Sequence, residues 1–143
     1  ELIQNGADYT AAYSLSQRST PPSLVPLIGR AMARSKTDIQ KGIMWSMITK
    51  EDFLATQRSP ADVSSLLSYL EKEFPAMRVR ALLWQDIDNT GVYARLGGLQ
   101  EILERVKQNA GGEFRSPYLQ IPNSFASFID AENTINLLLE QVL

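Results

Sequence analysis

The chain has 143 residues, 44% hydrophobic and 21% charged, with a net charge of −2, which suits one self-supporting domain over 1–143 and excludes a disordered or fibrous class. It contains no cysteine and no histidine. Disulfides, zinc–thiolate sites and thiol nucleophiles are thereby excluded, and the commonest general base and transition-metal ligand are missing.

Helix starts recur along the chain. Thr20-Pro21-Pro22 predicts one, with proline in the first turn and Leu24, Leu27, Ile28 and Ala31 on one face. Pro26 and Gly29 weaken it. Thr37-Asp38-Ile39-Gln40 reads as a capping box, followed by Ile39, Ile43, Met44, Met47 and Ile48 at helical spacing. Thr49-Lys50-Glu51-Asp52 is a similar box opening a short helix. Ser59-Pro60-Ala61-Asp62 is the clearest start in the chain, and Val63, Leu66, Leu67 and Leu70 form the stripe behind it. Residues 76–87 fit either a strand or a helix, and the helix is preferred because no second strand is evident nearby. Asp86–Gly91 carries turn chemistry. A helix is expected over 98–109 and an extended loop over 111–123. A last helix from Asp130 carries Ile135, Leu138, Leu139 and Val142.

An internal match appears at an offset of 39 residues. Thr20-Pro21 falls on Ser59-Pro60, and Trp45 falls on Trp84 with apolar neighbours aligned around both. A period near forty suits stacked helix pairs. With Arg80-Ala81-Leu82-Leu83 followed by Gly97-Gly98-Leu99-Gln100-Glu101-Ile102-Leu103, residues 20–106 resemble armadillo/HEAT-type α-helical repeat proteins. The spacing between these two cues is shorter than in that family. The expectation is an all-α fold of five to seven antiparallel-packed helices, either an irregular helical bundle or a short armadillo/HEAT-like solenoid. Trp45 and Trp84 would occupy equivalent buried places in it, with Tyr9, Tyr13, Tyr69, Phe53 and Phe74 also in the core.

Few constellations carry chemistry. Asp86-x-Asp88-x-Thr90-Gly91 imitates the start of a calcium loop, but position twelve is Gly97, so a turn without metal is expected. The carboxylate pairs stand at i,i+1 or i,i+2 and do not face each other on a helix. No serine sits in a nucleophile elbow, and no glycine pair precedes a phosphate-loop lysine. Neither a catalytic residue nor a cofactor is expected.

Charge is segregated: residues 9–50 sum to +5 and residues 51–143 to −5. Arg30 and Arg34 stand one helical turn apart and Lys41 follows, with Asp38 the only acid in 9–50. These three residues are the partner-binding candidates, forming an exposed positive patch for an acidic protein. The expectation is a soluble, non-enzymatic protein–protein interaction module, an adaptor or scaffold piece of a larger protein or assembly. A nucleic-acid-associated helical domain using the basic N-terminal face is the alternative. No run is apolar for the roughly eighteen residues a membrane span needs. Glu1 in first place implies a processed chain or part of a longer one. Compartment and oligomeric state stay open.

Overall fold

In each of the two stretches aligned by the internal match, the second expected helix is a strand. A computed structural model describes residues 21–143. In chain order it contains α1 (Val25–Ala33, entered through a 3-10 turn at Pro22–Leu24), β1 (Lys36–Asp38), β2 (Ile43–Ile48) and α2 (Lys50–Thr56). Then come α3 (Val63–Glu73, entered through a 3-10 turn at Pro60–Asp62), β3 (Val79–Gln85) and β4 (Val92–Gly98). The chain continues with α4 (Gln100–Ala110), β5 (Glu113–Arg115), β6 (Tyr118–Gln120) and α5 (Phe128–Val142). The strands form one mixed sheet in the order β1-β2-β3-β4-β6-β5. β2 and β3 run parallel and the other neighbours antiparallel. The chain is therefore α/β. The all-α fold, the helical bundle and the armadillo/HEAT-like repeat are all corrected by this sheet.

The reason for the difference is burial on both faces. On one face α4 and α5 pack Ile102, Leu103, Val106, Ala131, Ile135 and Leu139 against Ile43, Trp45, Ala81, Leu83, Ala94 and Leu96. On the other, α1, α2 and α3 pack Leu27, Ile28, Phe53, Leu66 and Leu67 against Ile48, Leu82 and Trp84. A strand covered on both faces loses its alternation and reads as a continuous apolar run. Such a run also satisfies a helical template. The 39-residue match is not a repeat of helix pairs: each copy is a proline-led 3-10 turn running into a helix, and the second half is then a strand. β2 and β3 pair at an offset of 36, with Trp45 opposite Ala81 and Ile48 opposite Trp84. Because 36 and 39 differ by an odd number, the two tryptophans point to opposite faces. Both are buried, but Trp45 belongs to the α4/α5 core and Trp84 to the other.

Local signals hold where a cap decides the structure. Thr49 caps α2 with Asp52 as its reciprocal partner, and Ser59 does the same with Asp62. The stripe of α3, the helix near 98–109 and the final helix are present, the last capped by Ser127. The Asp86–Gly91 turn joins β3 to β4. The Thr37–Gln40 box is instead β1 and the turn that follows it, and the loop expected over 111–123 contains the β5–β6 pair. Tyr9, Tyr13 and Thr20 lie outside the described residues. No helix among the described residues is long and apolar enough to cross a membrane.

Gly98 ends β4 at φ +139°, where a Cβ would lie 2.2 Å from the Arg78 carbonyl oxygen. Neither backbone can yield without breaking the β3–β4 ladder. Gly98→Ala is expected to lose about 3 kcal/mol of unfolding free energy. In urea titration the midpoint should fall at unchanged slope.

Candidate functional site

The helices above β2 and β3 leave part of the sheet uncovered on the α1/α3 side. Register fixes what that part displays. Arg95 on β4 stands between Leu82 on β3 and Gln120 on β6, and Gln120 in turn stands beside Glu113 on β5. Arg80 pairs with Gly97, and Tyr118 pairs with Arg115 at the outer edge. Tyr93 pairs with Trp84, and the two rings stack at 5.9 Å between centroids and 26° between planes. Opposed residues share a face and alternate residues return to it. Arg80, Tyr93, Arg95, Arg115, Tyr118 and Gln120 therefore point the same way.

Arg95 is the centre of this display. Its guanidinium donates from Nε to Gln120 Oε1 at 2.8 Å and from Nη1 to Ser64 Oγ of α3 at 2.7 Å. It lies 5.4 Å from the centroid of the Trp84 ring. Only 9% of the residue is exposed. Burial in the first place, and then the charge of Arg115, pull its pKa down. Among the described residues no carboxylate ion-pairs with it. A buried cation answered only by neutral acceptors and a ring is costly, and an anion is the ligand that would relieve the cost. Below it Arg80 is buried and donates from Nε and Nη2 to the Phe74 carbonyl. Burial and the nearby Glu71 charge push the Tyr118 phenol up, against a bond with Ser68 and the charge of Arg80. Along β6 the display runs into a concavity of about 370 Å³ lined by Tyr93, Gly112, Glu113, Gln120, Ile121, Pro122 and Asn123. Gly112, at φ +113°, brings its backbone against the Gln120 carbonyl, where a Cβ would stand 2.5 Å away.

The residues singled out from sequence lie elsewhere. Arg30 and Arg34 converge on Asp52 and not on open solvent. Arg34 donates from Nε to Oδ2 at 2.9 Å and from Nη2 to Oδ1 at 3.2 Å, and Arg30 Nη1 reaches Oδ1 at 3.1 Å. The Asp52 side chain is fully buried while each arginine is 46% exposed. Lys41 pairs with Glu140 of α5, on the opposite side of the sheet. The structure thus brings Arg30 and Arg34 together and leaves Lys41 apart from them. Arg95, which the sequence reading missed, carried one usable signal: Val92, Ala94 and Leu96 alternate with Tyr93 and Arg95 as in a strand.

No protein-family model matches the chain, and no curated protein matches it. The sheet with helices on both faces defines an α/β class shared with solved structures. One of them is an exopolyphosphatase-related protein from Bacteroides fragilis, superposing with a TM-score of 0.67 at 12% identity over 85% of this chain. The match covers 35% of that protein, so the chain spans about a third of its length. At this identity the likeness shows the fold. It overturns the helical adaptor or scaffold, and with it the helical nucleic-acid domain, since both readings rested on a fold the chain does not have.

Asp52 gives a pH prediction. Burial alone would raise its carboxyl, but bonds from Arg34, the Thr49 amide, Arg30 and the Thr49 hydroxyl outweigh that and hold it at about 2, below the ordinary 3.8. A carboxyl depressed in the folded state contributes stability above its unfolded pKa and loses it as pH falls through the folded one. The shift corresponds to about 2 kcal/mol. Wild type should exceed Asp52→Asn by roughly that much at pH 7. The difference should shrink between pH 4 and 2 in chemical denaturation followed by circular dichroism.

Proposed function

We propose that this chain is the ligand-recognition part of a phosphate-processing protein, and that the part of its sheet around Arg95 receives a phosphate-bearing anion. The observation that carries the reading is Arg95, a nine-tenths buried cation with no carboxylate partner among the described residues. Arg115 stands on the same face two strands away, with Glu113 beside it at 3.6 Å. Gln120 and Ser64 already orient the guanidinium, so its planar fork is held ready for an oxyanion. The name of the Bacteroides fragilis protein supports phosphate chemistry for the ligand. The groups gathered here are two arginines, hydrogen-bonding neutral side chains and one carboxylate, Glu113, which suit binding. The reading therefore assigns recognition to this chain and stops short of bond cleavage.

Tripolyphosphate is the probe. It should bind saturably in calorimetry and perturb tryptophan fluorescence, because Trp84 lies beneath Arg95. Binding should weaken with salt. Arg95→Gln should lose affinity roughly tenfold or more, the loss expected for one charge-assisted contact. Arg30→Gln should bind as wild type does. Absence of binding, or unchanged affinity in a folded Arg95→Gln protein, would overturn the reading.

A further inference from the structure

On the face of the sheet away from Arg95, α5 and the β1–β2 hairpin border a slot of about 470 Å³. Register and helix period set its walls. Lys36 on β1 stands opposite Trp45 on β2 and forms an ion pair with Glu132 of α5 at 2.6 Å. One helical turn further along α5 comes Asn136, and one turn beyond it Glu140, which holds Lys41 of the hairpin turn at 3.1 Å. Residues four apart share a helix face, so Asn136 falls between two closed ion pairs. Trp45 lines the slot at 4% exposure, and its indole N–H bonds to no described residue. The Asn136 amide also lines the slot and is equally unengaged among the described residues. On the opposite wall Asp38 Oδ1 accepts the Lys41 amide at 3.1 Å. Its Oδ2 bonds to no described residue, and no lysine or arginine among the described residues ion-pairs with it.

From this arrangement we infer that the slot binds a small organic cation: a primary ammonium with a neutral carbonyl beside it, as in an α-amino amide. A buried donor without an acceptor is costly, and a carbonyl entering the slot supplies the acceptor that the Trp45 indole lacks. The Asn136 amide both donates and accepts, so it bonds to the same group. The ammonium is assigned by charge. Lys36 and Lys41 are each answered by their own glutamate, and Asp38 is the one acid of the slot without a cation. The slot therefore carries one surplus negative charge, which attracts an ammonium and disfavours a carboxylate. Ile39 lines the slot and is 80% exposed, an apolar neighbour for the ligand's side chain. The site stands apart from the anion site at Arg95, which lies on the other face of the sheet.

Leucinamide is the probe. The chain has two tryptophans, so each indole N–H gives its own signal in a nitrogen–proton correlation spectrum. Titration should move the Trp45 indole signal saturably and leave that of Trp84 in place. N-acetylleucinamide lacks the ammonium, and leucine adds a carboxylate. Each should bind about tenfold more weakly than leucinamide, or less tightly still. Asp38→Asn keeps an acceptor for the Lys41 amide and removes the charge, and should weaken leucinamide binding by a similar factor. Circular dichroism checks that the variant is folded. If it is not, the three ligands on the wild-type chain decide the matter alone. A Trp45 indole signal that leucinamide does not move would overturn the inference. So would N-acetylleucinamide or leucine binding as tightly as leucinamide, or an unchanged affinity in a folded Asp38→Asn protein.

Discussion

The parallel pairing of β2 with β3 is the constraint from which the rest of the molecule follows. Parallel strands need a long crossover, and α2 and α3 fill the connection between them. Both strands are buried on both sides, so each face of the sheet has to be covered. α4 and α5 close one side, while α1, α2 and α3 close the other. Even the polar residue within β2 is accommodated: Ser46 is fully buried and donates to the Ala31 carbonyl at 2.9 Å. The pair of arginines on α1 belongs to the same construction. Asp52, just beyond β2, caps α2 and holds Arg30 and Arg34, tying the helix that covers β2 to the helix that leaves it.

The site arises from what this cover does not reach. α3 lies above β3 and the near side of β4, and Ser64 from that helix is the last side chain to meet Arg95. Beyond it the sheet continues through β6, which is still buried, to β5, whose Glu113 and Arg115 are exposed. Polar residues on this face bond to one another and to serines of α3, as Arg95 does to Gln120 and Ser64. Arg95 is buried by its neighbours in the sheet and by Trp84. Its partner Gln120 and its neighbour Tyr93 line the concavity along β6.

Caps were legible in the sequence because they are local. Thr49 with Asp52 and Ser59 with Asp62 are decided within four residues, and both formed as read. The amphipathic stripes of α3, α4 and α5 were legible for the same reason. The sheet was not. Its two central strands are buried on both faces, so Ile43–Ile48 carries no alternation to betray it. Its outer strands are three residues long, too short for any pattern. β4 was the exception, since Val92, Ala94 and Leu96 alternate with Tyr93 and Arg95. Its antiparallel partners would have removed the objection that residues 76–87 had nothing to pair with. The site was hidden by distance along the chain. Arg95 and Gln120 are 25 residues apart and Arg95 and Ser64 are 31 apart, and only strand register joins them. The same distance concealed the acid that Arg30 and Arg34 share, which lies 22 and 18 residues further on.

The central claim is that an anion binds on the uncovered part of the sheet at Arg95. Nuclear magnetic resonance of the labelled chain, titrated with tripolyphosphate, tests it most directly. The account predicts that the Arg95 side-chain Nε–H moves, together with amides of β4, β5 and β6, and that the signals of α1 stay in place. Shifts confined to Arg30, Arg34 or Lys41, or no shifts at all, would contradict it.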